Sequence, residues 1–392
     1  MIFVDKPFVS DFFKKTIADN EYPVVLTDMA KALGFGDSRN GIDEASAVKE
    51  ILGSNNLRLY STSENAIGWI AEHLSATRLP GDIELFKDKA RFRSLIKPLF
   101  PDFYFQEVSM EALENLSAED LPMPFIIKPT TGFFSMGVYK VSALEEWRQV
   151  KRALRAEIRS VAALYPKEVL DTTMVIIEQC IEGEEFAVDA YYDADGNPVI
   201  VGIYQHIFSS AEDVSDRVYM TSKDIVEANL DPFAKFLKDI GNLAKVKNFP
   251  VHVEIRRDHS GAIVPIEINP MRFGGWCSTA DMTYLAYGFN PYACYLSQKR
   301  PNWKEALENQ NGKLYSIVVL DNSTGVDARD IDAFDYERLL SRFEHPLELR
   351  KIDYKEYPVF GFLFAETSQS NVGELERILR SDLKEFISTR VH

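Results

Sequence analysis

Apolar and polar positions alternate most regularly between Val251 and Gly275. Val251, Val253 and Ile255 interleave with His252, Glu254 and Arg256, and DHSG supplies turn residues. Val264, Ile266 and Ile268 then interleave with Pro265, Glu267 and Asn269. This pattern predicts a β-hairpin with one apolar and one polar face. With Asp258–Gly261 as the loop, Arg257 pairs with Ala262. Glu267 then lies opposite His252, with Glu254 one diagonal step away on the same face. Glu254, Glu267 and Asn269 form an oxygen-only donor set, which suits Mg²⁺, an ion usually shared between one or two carboxylates and substrate phosphates. A plain hairpin with a solvated polar face fits the same stretch.

Upstream the pattern changes. From Met1 to about Leu85, strand-like IFV, YPVVLT and LRLYST alternate with helix-like SDFFKKTIADN and SENAIGWIAEHL, each helix behind a Ser. The alternation predicts a small parallel α/β unit. No GxGxxG follows the first strand, so no dinucleotide site is expected there. FKDKARFRSLIKPLFPDFYF opens the next region with a basic helix, in which Lys87, Lys89, Arg91, Arg93 and Lys97 read as a solvated face. A charged helix is expected from about Leu144 to Tyr165, and Asp231–Lys247 is amphipathic. Asp213–Thr221 reads as a polar connection carrying Arg217. CSTADMTYLAYGFNPYACYL reads as core packing. The last unit begins near Gly312 and reads as strand YSIVVL, helix DAFDYERLLSRF, strands LELRKI and VFGFLFAET, and helix VGELERILRSDLKEFI.

Composition narrows the partners. At 392 residues two or three packed units are expected, and a net charge of −16 argues against non-specific binding to nucleic acid or an anionic membrane. Small-molecule substrates fit better. Cys180, Cys277 and Cys294 are not spaced as a zinc site or a CxxC pair, as expected for buried thiols in a reducing compartment. With neither a signal-peptide pattern nor an apolar run of membrane-spanning length, a cytoplasmic location is expected.

Two stretches carry further chemistry. In PFIIKPTTGFFSMGVYKV an apolar strand ends at Lys128, and Gly132 and Gly137 would let a loop backbone approach an anion. The Lys precedes the glycines, so this is not a P-loop. Phe133 and Phe134 at the loop tip suit a lid that is covered when ligand binds, and a plain hairpin with an exposed Lys fits as well. In MVIIEQCIEGEEFAVDAYYD a strand ends at Glu178, a crossing segment carries Gly183, and a second strand starts near Glu185. An adenine against that crossover would use backbone N–H and C=O groups, with Glu185 accepting from ribose hydroxyls.

Taken in order, these motifs resemble the ATP-grasp superfamily, in particular carboxylate-amine ligases such as D-alanine–D-alanine ligase and the amino-acid ligases. The resemblance covers roughly Phe86–Gly275. Asp88-Lys89 stands where the family has a Lys that contacts nucleotide phosphates, and Lys128 stands where a second ends a strand before a Gly-rich lid. Glu178, Gln179, Ile181, Gly183 and Glu185 fall on the family's nucleotide hinge, and Glu254, Glu267 and Asn269 fall on its metal ligands. His252 replaces an Arg that lies near the transferred phosphate. Many relatives carry an Arg two residues after the metal-binding Asn, whereas here Met271 intervenes and Arg272 is third.

The resemblance implies a mixed α/β architecture: an N-terminal α/β unit over 1–85, an ATP-grasp domain over 86–305 with a lid over about 124–178, and a C-terminal α/β cap over 306–392. It implies ATP and Mg²⁺, with Mn²⁺ as a substitute. It also implies a reaction in which a carboxylate is phosphorylated by ATP and the acyl phosphate is then attacked by an amine. Arg272, and after it Arg217 and His252, are the candidates for holding the carboxylate or developing oxyanion. A phosphotransferase, a thioester-forming ligase and a non-catalytic nucleotide-binding module are the rival readings, and a homodimer is compatible with all of them.

Overall fold

Short parallel strands at Ile2–Phe3 (β1), Val24–Val25 (β2), Gly41–Ile42 (β3) and Tyr60–Ser61 (β4) form a sheet in the order β3-β2-β1-β4. The expected N-terminal strands are therefore present, and β3 adds one that has no apolar pattern. The helix Asp11–Asp19 starts at Ser10, whose hydroxyl accepts from Phe13 N–H; the helix Ala66–His73 has no such cap. The computed structural model describes residues 1–54, 56–132, 137–161, 173–210 and 216–389.

The expected basic helix is two helices, Leu79–Lys87 and Lys89–Ile96, broken at Asp88, whose carboxylate accepts from the Ala90 and Arg91 N–H groups. Beyond them lies a second, antiparallel sheet of Phe105–Ser109 (β5), Phe125–Pro129 (β6), Tyr139–Val141 (β7) and Met174–Gln179 (β8), in the order β5-β8-β6-β7. Its apolar face packs on the helix Trp147–Val161 through Trp147, Val150, Leu154 and Ile158. The expected strand at Lys128 and the helix behind it are thus found. The aromatic loop tip, Phe133 and Phe134, lies outside the described residues.

The third sheet has eight strands: Glu184–Tyr192 (β9), Pro198–Ile207 (β10), Val218–Ser222 (β11), Phe249–Arg257 (β12), Ile263–Pro270 (β13), Lys313–Asp321 (β14), His345–Lys351 (β16) and Val359–Ser368 (β17). A small pair, Ile331–Phe334 (β15) with Ile387–Thr389 (β18), stands apart from it. The large-sheet order is β13-β12-β9-β10-β11-β14-β17-β16, so strands of the expected C-terminal unit continue the sheet that holds the hairpin. The supposed polar connection around Arg217 contributes β11 to this sheet. One face of β9, β12 and β13 buries Phe186, Val188, Val253, Ile255 and Ile268 against the helix Lys223–Ala244, which begins eight residues earlier than its amphipathic pattern indicated. The last unit has less helix than expected: DAFDYERLLSRF is split between β15 and a helix of only Tyr336–Leu340.

Candidate active site

The hairpin forms as expected, in a different pairing. Arg257 pairs with Ile263 rather than Ala262, and a bulge at Ile266 shifts the two strands by one residue. Glu267 therefore stands directly opposite Glu254, and Asn269 opposite His252. Bulges re-aim side chains in this way, and period-2 alternation carries no sign of them. The opposite polar face is laid out in rows: Asp189, His252 and Asn269 lie across three strands, and Ala187, Glu254 and Glu267 lie beside them.

Two carboxylates facing each other across strands repel. Burial pushes the Glu254 carboxyl well up, and the charges of Glu267, Glu185 and Asp216 add to that shift. Burial also disfavours ionised Glu267, but Lys89, Lys128 and Lys87 outweigh it and hold Glu267 well below the usual carboxylate range. Lys89 Nζ lies 3.0 Å from Glu267 Oε2, whereas among the described residues Glu254 has no lysine or arginine within ion-pair distance. Asn269 Nδ2 donates to Glu267 Oε1 at 3.1 Å, which leaves its carbonyl oxygen free of that bond. The Glu254 carboxyl, held well up for want of a cation beside it, and the oxygen-only donors fit a divalent cation of the magnesium type. No three His, Cys, Asp or Glu among the described residues gather as a metal cluster; the candidate donors are the carboxylates of Glu254 and Glu267 and the carboxamide of Asn269.

The presumed solvated basic face is mostly interior. Lys87, Lys89 and Arg93 are buried, and only Arg91 and Lys97 are exposed. Lysines and arginines are seldom buried without partners. Arg93 Nε and Lys128 Nζ both bind Glu178, at 2.8 and 2.6 Å, and Arg93 also donates to the Pro265 and Ile266 carbonyls. The Ile266 bulge is thereby tied to the hinge strand. Burial would raise the Glu178 carboxyl, but these two cations bring it down to about 2.

Along the hinge, Gln179 Oε1 accepts from Tyr104 N–H and the Ile181 carbonyl accepts from Arg256. Glu185 accepts from His206 Nδ1 and Arg256 Nε, each at 2.9 Å. Gly183 sits at φ +119° with the Arg257 carbonyl so close that a Cβ would overlap it. Gly132 is next to the loop whose tip lies outside the described residues, and its carbonyl lies 3.3 Å from Lys87 Nζ. Gly137 differs from expectation: its N–H is already donated to Glu157, so it is not aimed at an anion.

Of the three candidates for the reacting carboxylate, two are near the hairpin. Met271 takes a left-handed conformation and is buried, and Arg272 beyond it reaches Glu64 Oε1 at 2.8 Å and the Phe273 carbonyl at 2.9 Å. His252 Nδ1 donates to Asp189 Oδ1 at 2.7 Å, with Nε2 turned toward Glu254. Arg217 is elsewhere. Its guanidinium, buried beneath the C-terminal strands, pairs with Asp321 at 2.6 Å and donates to Ser323 and to the Ser381 carbonyl. It is a fastening of the last unit, which a lone Arg in a polar stretch does not reveal.

Several residues here were missed from the sequence. Glu64 bridges Lys87 and Arg272, and burial, which would raise it, is outweighed by those two cations, leaving it at about 2. Nothing in SENAIGW points to this, because the partners come from distant segments. Asp189 was findable: in EEFAVDAYYD it shares parity with Glu185 and therefore shares its face.

A family comparison matches residues 121–280 to the ATP-grasp domain. An L-arginine-specific L-amino acid ligase of Bacillus subtilis is 26% identical over 162 residues, which is 41% of this chain; the match spans only 36% of the length of that relative. Among solved structures, an L-amino acid ligase from Bacillus licheniformis superposes with a TM-score of 0.69 at 16% identity, covering 100% of this chain and 98% of that one. A biotin carboxylase from Campylobacter jejuni gives 0.60 at 12% identity over 94% and 87%. An N5-carboxyaminoimidazole synthase from Aspergillus clavatus gives 0.63 at 13% over 98% of each chain. Residues 121–280 thus match an ATP-grasp domain, and the chain as a whole shares the fold of these ligase and carboxylase structures.

Proposed function

We propose that this chain, built around an ATP-grasp domain, is an ATP-dependent ligase that joins a carboxylate to an amine, with amino acids as the substrate class. The observation that carries the reading is the facing pair Glu254 and Glu267, one carboxylate neutralised by Lys89 and the other, among the described residues, with no lysine or arginine within ion-pair distance, beside buried Lys128. The similarity to proteins described as amino-acid ligases supports the substrate class.

In this reading ATP lies between the sheet of β5–β8 and the eight-stranded sheet. Lys89 and Lys128 face its phosphates, and the segment Glu178–Glu185, with Gln179 and Ile181, receives its adenine and ribose. Glu254, Glu267 and Asn269 would hold Mg²⁺ or Mn²⁺, which would supply positive charge to offset the phosphates. The substrate carboxylate attacks the γ-phosphorus, and the bond to the ADP oxygen breaks. Catalysis here is chiefly positioning and electrostatic stabilisation, and a planar guanidinium suits a carboxylate or oxyanion, the role assigned to Arg272. An amine then attacks the acyl carbon, phosphate leaves, and the nitrogen loses a proton. His252 lies beside this chemistry.

The same reading divides the chain into 1–85, 86–305 and 306–392, with the third part sharing the sheet of the second. No helix among the described residues is long and apolar enough to cross a membrane. A cytoplasmic setting suits the free thiols of Cys180, Cys277 and Cys294. The deciding experiment is ADP release from purified protein offered paired amino acids, with the product identified by mass. Amide formed one-for-one with ADP supports the ligase. Phosphorylated carboxylate accumulating in the presence of amines makes it a phosphotransferase, and turnover only with a thiol makes it a thioester-forming ligase.

A further inference from the structure

We propose that the C-terminal unit completes the ligase site through Arg350, a positioning residue that fixes the turn 272–277 and, through Gly274, the Asp189–His252 pair. The proposal rests on the ligase reading of Arg272 and His252.

The two edges of the eight-stranded sheet meet at this turn. β13 runs directly into it, and β16, at the opposite edge of the sheet, brings Arg350 up behind it. The neighbouring strand β17 contributes Phe362, whose ring lies 5.3 Å from that of Trp276. The Arg350 guanidinium is buried, at 6% exposure, and its N–H groups are spent on fixed partners. Nε donates to Glu348 at 2.6 Å, Nη2 to Asp281 at 2.6 Å, and Nη1 to the carbonyls of Trp276 and Cys277 at 3.1 and 3.3 Å. The plane sits 4.3 Å from the Phe364 ring centre.

The turn needs such a hold. Trp276 and Cys277 are consecutive non-glycine residues with φ of 59° and 57°, and Met271 has φ 69°. Each left-handed residue of this kind costs about 1–2 kcal/mol, and it persists only where the surroundings over-determine it. Arg350 grips the carbonyls of both strained residues at once. Lys, a point donor on a flexible stem, cannot reproduce that fork.

The other end of the turn reaches the site. Gly274 N–H donates to Asp189 Oδ1 at 3.0 Å and to Thr279 Oγ1 at 2.9 Å, and a Cβ on Gly274 would overlap Thr279. Thr279 in turn donates to Asp189 Oδ2, and Asp189 Oδ1 receives His252 Nδ1. Arg272 is two residues before Gly274. Two sets of hydrogen bonds, joined by the backbone from Gly274 to Trp276, thus lead from β16 to the polar face of the hairpin, whereas Lys89, Lys128, Glu254 and Glu267 stand on elements outside the turn.

The test uses the full chain carrying Arg350→Lys, Thr279→Val, or both. Arg350→Lys should lower kcat at least tenfold while KM for ATP stays within twofold, and ADP release should outrun amide formation. Thr279→Val, acting at the far end of the same turn, should give the same split, and the double variant should lose less than the product of the two single losses. Hydrogen exchange of the 272–277 amides should quicken in Arg350→Lys, a readout that needs no activity. A merely structural role would lower the melting temperature and leave kcat of the folded protein unchanged; that result, or unchanged amide exchange, overturns the proposal. If Arg350→Lys does not fold, unchanged kcat in Thr279→Val overturns it instead. Quickened exchange in Arg350→Lys together with no turnover of amino-acid pairs by the wild type would sink the ligase reading while leaving the hold on the turn in place.

Discussion

Glu254 and Glu267 stand directly opposite one another across the hairpin, and Lys89 neutralises only Glu267. Burial and the neighbouring carboxylates hold the Glu254 carboxyl well above its ordinary value, which costs the metal-free protein stability near neutrality. Glu254→Gln, a neutral group throughout, should therefore raise its melting temperature there. The same variant should lose the thermal shift that magnesium with ATP gives the wild type, and Glu267→Ala should lose turnover while keeping the fold. Equal thermal shifts in wild type and Glu254→Gln would remove these carboxylates from the metal site.

Glu178 predicts an acid limb in stability. Its carboxyl lies at about 2 in the fold against an ordinary value of 4.5, because Arg93 and Lys128 outweigh burial. A carboxyl depressed in this way stabilises the fold fully above its unfolded value, and that contribution is lost as pH falls from about 4.5 toward 2. The shift corresponds to about 3 kcal/mol. Glu178→Gln should be less stable than wild type near neutrality by about 3–5 kcal/mol, since it strands two buried cations. The gap should narrow as pH falls from about 4.5 toward 2. Urea unfolding of both proteins across that range checks it; a gap constant with pH would mean the carboxylate is not ionised in the fold.

Gly183→Ala should be costly out of proportion to one methyl group. The residue lies at φ +119° and a Cβ would run into the Arg257 carbonyl, so the hinge between β8 and β9 must move away from β12. Left-handed strain and backbone overlap together should cost about 3 kcal/mol. The hinge carries Ile181 and Glu185, so KM for ATP should rise more than tenfold. Isothermal binding of an ATP analogue measures this directly, and wild-type affinity would show that the hinge does not hold the nucleotide.

Arg217→Ala should separate stability from chemistry. The side chain is fastened to Asp321, Ser323 and the Ser381 carbonyl. Its loss leaves Asp321 without its partner and should cost about 3–5 kcal/mol. At a temperature where the variant remains folded, kcat/KM per folded molecule should stay within twofold of wild type. A hundredfold fall in kcat would restore Arg217 to the site.

The site was legible where one segment holds the whole message. The alternation of β12 and β13 gives the hairpin and its polar face, and the order of Lys89, Lys128, the hinge and the metal trio gives the resemblance. Legibility fails where the partner is far away in the chain. Lys87 and Arg93 look like solvated charges beside Arg91, yet Glu64 and Glu178, 23 and 85 residues distant, make them interior. The bulge at Ile266 leaves the alternation intact while moving Glu267 by one pairing.

Local periodicity and residue type thus determined that this chain folds as strands and helices of an ATP-grasp kind, and which side chains share a strand face. Whether a given charge is buried and what it pairs with, as for Arg217 and Arg350, were decided only by the packed structure. The reason is physical: the cost of burying a charge depends on the distance to its counter-charge through space, and that distance has no counterpart in spacing along the chain.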